Sequence, residues 1–100
     1  MTRRDLRRFL IAYDIADDRR RDRLAKCLQR HGDRVQYSVF VVDASSARML
    51  RLRREVVSII LNSEDSVLLC ELGPTHDSNP SRFDFLGRSK PISGGTSHVI

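Results

Sequence analysis

Apolar positions fall into short blocks whose spacing changes from one to the next. Residues 7–14 hold the run Phe9-Leu10-Ile11-Ala12-Tyr13 and close on Asp14, which predicts a strand. With a period of two, Phe9, Ile11 and Tyr13 face one side, and Leu10, Ala12 and Asp14 the other. Over 18–31 the period lengthens to 3.6: Leu24, Cys27, Leu28 and His31 share a face, Asp17 can cap the start, and Gly32 can stop the end. Residues 34–42 predict a second strand, with Val35, Tyr37, Val39 and Val41 on one face and Arg34, Gln36, Ser38 and Phe40 on the other. A second helix is predicted over 46–61, capped by Ser45 or Ser46 and ending near Asn62. Its main stripe is Met49, Leu52, Val56, Ile59 and Ile60. Leu50, Val57 and Leu61 add a second stripe, read as a widening of the buried face.

A third strand follows over 66–72, then a loop marked by Gly73, Pro74, Asn79 and Pro80, then a short apolar stretch, Phe83 to Leu86, that can form a fourth strand. This strand–helix–strand–helix–strand–(strand) order suggests an α+β fold of the ferredoxin-like type, whose full pattern is a βαββαβ sandwich with helices on one face of an antiparallel sheet. It would occupy residues 1–86. The Gly- and Ser-rich stretch 87–100 reads as a flexible or partner-ordered tail. The second sheet face would need a partner or tolerate water.

At 100 residues and 40% apolar content the chain supports one modest core and one domain. No apolar run approaches the roughly 20 residues of a spanning helix, and no signal peptide is evident, so a cytoplasmic location and no membrane partner are expected. Cys27 and Cys70 stand too far apart for a Cys-x-x-Cys pair and are read as small buried residues. His31, His76 and His98 have no metal-ligand spacing, and His31 falls on an apolar helix face. The net charge of +5 is concentrated in residues 1–34, and 16 of the 18 basic residues are Arg. Arg suits phosphate, so a polyanionic partner is plausible, although a GC-rich coding sequence also replaces Lys by Arg.

Three places could carry chemistry. Asp14 ends a strand directly after five apolar residues; a carboxylate there can hold Mg2+, and a twofold dimer would bring two copies together. On spacing alone, a turn-forming Asp is the simpler reading. Arg19, Arg20, Arg21 and Arg23 crowd the start of a helix, where cations are disfavoured but phosphate is welcome. A solvated face offset by Asp17, Asp18 and Asp22 explains them equally well. Arg19, Arg23, Lys26 and Arg30 form a continuous basic stripe on the helix side opposite the apolar one. In the second strand, Arg34 could hold a phosphate, Ser38 could donate a hydrogen bond, and Phe40 could stack or pack.

The run Tyr13-Asp14-Ile15-x-Asp17-Asp18, the Arg-rich helix after it, and Arg34-Val-Gln-Tyr-Ser-Val-Phe40 together resemble the second universal CRISPR-associated protein family, over residues 7 to 72. The resemblance implies a ferredoxin-like homodimer of spacer acquisition, often with a C-terminal strand crossing to the other subunit. It implies metal-dependent endonuclease activity, with Mg2+ held by Asp14 from each chain. Tyr13, Arg21, Arg23, Arg34, Ser38 and Phe40 fall at family motif positions. The partners it implies are the CRISPR integrase and a DNA duplex, with RNA as an alternative substrate. Two other readings stand beside it. One is an mRNA-cleaving toxin of the same fold. The other is a non-catalytic RNA-binding module, which would need a Gly-aromatic strand that this chain lacks.

Overall fold

A computed structural model describes residues 5–75 and 83–88. The order is β1 (Arg7–Asp14), α1 (Asp18–Gln29), β2 (Gly32–Gln36), β3 (Val39–Ala44), α2 (Ser46–Ile59) and β4 (Ser66–Pro74). The strands form one sheet in the order β2-β3-β1-β4, with every neighbouring pair antiparallel. This is the expected βαββαβ arrangement, and it forms an α+β ferredoxin-like sandwich. No helix among the described residues is long and apolar enough to cross a membrane.

The caps sit where the sequence places them. Asp17 accepts the Arg20 N–H at 3.0 Å, and Ser45 accepts the Arg48 N–H at 3.2 Å, each satisfying a donor that the first helical turn leaves over. Helix α1 gives way at Arg30, before the predicted end. Gly32 opens β2 instead of merely stopping the helix: a Cβ there would stand 2.2 Å from the Val41 carbonyl oxygen, so only glycine allows β2 to approach β3. A register shift beside Arg8 on β1 is matched on β4 by Gly73, whose φ of +102° suits glycine.

The main departure from expectation lies at 34–42. The stretch is not one strand but a hairpin, turned at Tyr37 and Ser38, with Arg34 opposite Phe40. The turn carries no Gly, Asn or Pro, so the apolar run reads straight through it. The face assignment survives the turn, because residues of equal parity on the two arms still share a face. Phe40 and Val42 enter the core, while Val35, Val39 and Val41 face the other way.

The core lies between the helices and one sheet face, where Ile11, Leu24, Leu28, Phe40, Val42 and Leu52 are fully or almost fully buried. The opposite face is partly covered. Phe83 and Phe85 pack there on Val35, Val39 and Val41, so the expected fourth strand over 83–86 is not one; its aromatic residues bury by lying on the sheet. The same face carries a two-pronged pair, Arg8 to Asp43, at 2.8 and 3.0 Å, with the Arg8 side chain only 4% exposed. Two further expectations are corrected. Leu50, Val57 and Leu61 are 58%, 62% and 43% exposed and do not widen the buried face of α2. Cys27 is buried as expected, but Cys70 is exposed on the edge strand β4. Asn79, Pro80, His76, His98 and the tail from 89 onward lie outside the described residues.

Candidate active site

Asp14 closes β1 opposite Ser66, and strand alternation places it with Leu10 and Ala12 on the helix-free face. It is exposed, and among the described residues no hydrogen bond or ion pair holds its carboxylate. Its neighbour Tyr13 turns to the other side. There the Tyr13 hydroxyl donates to the Tyr37 carbonyl at 3.4 Å, and the ring lies against Phe40 with centroids 6.3 Å apart. Phe40 is wholly buried, so it packs and presents no face for a base.

Arg34 lies over two rings, its guanidinium carbon 5.2 Å from the Phe40 centroid and 6.0 Å from that of Tyr37. Its Nε is buried with no hydrogen-bond partner. Leaving such a donor unmet costs about 1–3 kcal/mol, so the group calls for an explanation. Tyr13, Arg21, Arg34 and Tyr37 line one cavity of about 200 Å3, together with Asp18, Asp22 and Ala25. Helix α1 forms one wall and the β2–β3 hairpin the other.

The arginines at the start of α1 divide into two sets. Arg20 is committed to the fold: it reaches Asp65 at 2.7 and 3.2 Å and Glu64 at 3.2 Å, and these acids raise its pKa. Arg21 donates to the Ile15 carbonyl at 3.0 and 3.3 Å and to Asp18 at 2.6 Å, and Asp18 likewise raises its pKa. Arg19 and Arg23 are exposed and form no ion pair among the described residues. Further along the exposed stripe, Lys26 pairs with Asp22 at 3.2 Å and Arg30 with Glu55 at 2.8 Å.

The proposed set of site residues is thus only partly gathered. Tyr13, Arg21 and Arg34 line the cavity, with Phe40 packed beneath Arg34 and Tyr13. Asp14, Arg23 and Ser38 do not line it. Ser38 contributes its backbone carbonyl, which accepts the Tyr13 N–H at 3.1 Å. Sequence reasoning missed Tyr37, which was placed on an apolar strand face and instead stands 71% exposed at the turn beside Arg34. It also missed Asp65, because the donors that fill its carboxylate come from both sides of the chain, up to 49 residues away.

Comparison with known proteins places this geometry in context. Residues 7–79 match the family profile described as CRISPR associated protein Cas2. The chain is 45% identical over 62 residues to the CRISPR-associated endoribonuclease Cas2 4 of Rhodospirillum rubrum, a match covering 62% of this chain and 50% of that protein. The chain therefore spans about half the length of that curated relative. The crystal structure of a hypothetical protein, TT1823, from Thermus thermophilus superposes with a TM-score of 0.75 at 28% identity, covering 88% of this chain and 99% of the other. That of Streptococcus pyogenes Cas2 at pH 6.5 superposes at 0.70 with 27% identity, covering 80% and 99%.

Proposed function

The chain belongs to the CRISPR-associated protein Cas2 family, and on that premise we propose that it is a subunit of CRISPR adaptation: a nucleic-acid-binding homodimer that cleaves phosphodiester bonds with Mg2+ and spaces the CRISPR integrase along a DNA duplex. In this reading residues 1–86 form the working domain and 87–100 the flexible or partner-ordered tail expected from the sequence. The relatives' names speak for nuclease activity in the family.

The observation that carries the reading for this chain is the unmet Nε of Arg34 in a cavity that also holds Arg21. At about 200 Å3 the cavity is smaller than the ~300–1,000 Å3 of small-molecule pockets, which suits one phosphate group of a polymer. Arg34 forms no ion pair among the described residues, so its guanidinium is open to that phosphate. Arg21 is steadied by Ile15 and Asp18 and keeps its guanidinium aimed at the same space. The rings of Phe40 and Tyr37 hold Arg34 by cation–π contact.

Asp14 fits a hard cation, being an exposed oxygen donor that nothing else engages. One carboxylate does not complete such a site, and a second copy of the chain across a twofold axis supplies the other. The helix-free face suits that pairing, since Leu68 is 59% exposed there beside exposed Cys70. Bound Mg2+ would lower the pKa of a water and offset charge on the phosphate. Arg19 and Arg23, with Lys26 and Arg30 beyond them, would follow the sugar-phosphate backbone, positioning the polymer without reading its bases.

A cleavage panel tests the reading: single- and double-stranded RNA and DNA, each with Mg2+ or with chelator. Chelator-sensitive cleavage of at least one substrate by a dimeric protein is the expected result. A monomer that neither cleaves nor binds any of the four overturns it.

A further inference from the structure

Where α1 meets α2, three side chains of metal-binding chemistry converge. Cys27 lies in the last turn of α1 and His31 just beyond its end, where a tighter turn carries the His31 N–H to the Leu28 carbonyl, three residues back, at 2.9 Å. Glu55 reaches them from α2. One ligand atom from each lies within 4.8 Å of the others. Cys27 is 1% exposed and the His31 side chain 13%. None of the three belongs to the proposed nuclease site, although Arg30 of the basic stripe touches Glu55.

We infer that Cys27, His31 and Glu55 bind a Zn2+ ion, as a three-residue site with a fourth position open to water. The donor set is the argument. A thiol, an imidazole and a carboxylate together suit a borderline-soft ion and do not suit Mg2+, which demands oxygen ligands. Ligands held at roughly 2.0–2.3 Å around a tetrahedral ion stand about 3.5 Å from one another, so the trio needs to close by about 1 Å. Glu55, 40% exposed on a flexible stem, can supply most of that movement.

The hydrogen bonds show what the ion displaces and what it keeps. His31 Nε2 lies 3.0 Å from Glu55 Oε1, and the Arg48 guanidinium donates to His31 Nδ1 at 3.3 Å. Because Arg48 can only donate, the proton of neutral His31 resides on Nε2. Ligation through Nε2 moves that proton to Nδ1, so Arg48 gives up its bond to the ring and keeps the one it already donates to the Arg30 carbonyl at 3.4 Å. The Cys27 thiol, whose pKa is raised by burial and by Glu55, loses its proton to solvent as sulfur binds, so one proton leaves per ion taken up. Thiolate and carboxylate neutralise the ion. Arg30 already holds the second Glu55 oxygen at 2.8 Å and orients the carboxylate from outside.

Cobalt titration of the full chain tests the site. The background is Cys70→Ser, which removes the exposed thiol. Metal-stripped protein should take up one equivalent of Co2+, with visible bands of a four-coordinate ion and a near-ultraviolet sulfur-to-metal band. One equivalent of Zn2+ should bleach both, and a large excess of Mg2+ should bleach neither. Cys27→Ser should abolish the near-ultraviolet band. Glu55→Gln and His31→Gln should weaken uptake by more than the roughly 10–100-fold that loss of an outer-shell partner costs. Circular dichroism confirms that each variant is folded, and the wild-type sulfur band stands whether or not a variant folds. Absence of stoichiometric uptake, uptake without the sulfur band, or a band that survives Cys27→Ser each overturns the inference. The readout is spectral, so a chain inactive on nucleic acid that still gives the band bears only on the nuclease reading.

Discussion

Asp14 and Asp65 stand at the same end of the sheet and have opposite fates. Asp65 is filled from within the chain: the Leu61 and Ala16 amides donate at 2.8 and 3.2 Å, and the Arg20 fork at 2.7 and 3.2 Å. The side chain is wholly covered, and Arg20, with the two amides, holds its carboxyl down to about 2. It buckles the start of α1 to the turn between α2 and β4. Asp14, at the end of β1 opposite Ser66, is exposed and receives no donor among the described residues. An acid whose oxygens are met by its own chain fastens the fold. One that the chain leaves open is available to something outside it. The arginines divide the same way, Arg20 spent on the buckle and Arg34 with a buried donor unmet.

The largest expected effect falls on the open acid. Asp14→Ala should lower Mg2+-dependent cleavage by roughly two orders of magnitude or more, the scale of losing a major electrostatic element of an active site. It should move stability by no more than about 0.5 kcal/mol, since nothing in the chain holds the carboxylate. Cleavage rates and chemical denaturation of the same preparation check both halves. Retained cleavage with contaminating nuclease excluded would remove Asp14 from the site.

How much of this contrast was legible in the sequence follows from where the partners lie. β1, both helices and β4 are set by local periodicity and capping, and the structure places them within a few residues of expectation. The hairpin was hidden because Tyr37 and Ser38 turn the chain without a residue that demands a turn. Arg34 and Phe40 were still assigned to one face, since parity carries across. The Arg cluster at α1 was visible as charge. Its division into fastened and open members was not, because the acids that claim Arg20 lie 44 and 45 residues away. Likewise Cys27 and His31 show a helical spacing, but Glu55 joins them only through helix packing.

The filled acid should respond to pH in a way the open one does not. The folded Asp65 carboxyl titrates at about 2, below the ~3.9 of an unfolded Asp. Its contribution to stability is therefore complete above about pH 4 and is lost as pH falls toward 2. Asp65→Asn should lower the melting temperature clearly at pH 7, and the gap to wild type should close across that window. A gap that stays constant from pH 7 to pH 2 would mean that the carboxylate charge is not what fastens the buckle. Cleavage per folded molecule should be unchanged by the substitution.

A smaller effect separates the arginines. Reversing Arg19, Arg23, Lys26 and Arg30 together to Glu should weaken duplex DNA binding and flatten its salt dependence, by up to about 0.9 in log–log slope for each phosphate that is no longer neutralised. Arg20→Gln, which breaks the buckle and leaves the stripe in place, should cost stability and leave that slope alone. Equal slopes for the fourfold variant and wild type would make the stripe a solvated face.

The smallest expected effect lies on the open half of the helix-free face. Leu68 is 59% exposed in the single chain, whereas Leu24 on the other side of the sheet is wholly buried. Leu68→Ser should therefore cost an isolated chain about 0.5 kcal/mol or less, against the roughly 2–5 kcal/mol of a core Leu→Ala change. If two copies meet on this face, however, the same substitution removes apolar area from their interface. The dimer should then dissociate at a higher protein concentration than wild type, read by sedimentation across a dilution series. Folding and self-association respond separately here because the chain closes one sheet face itself and leaves the other half open. A dissociation concentration that Leu68→Ser does not move would place the dimer interface elsewhere, and with it the second Asp14.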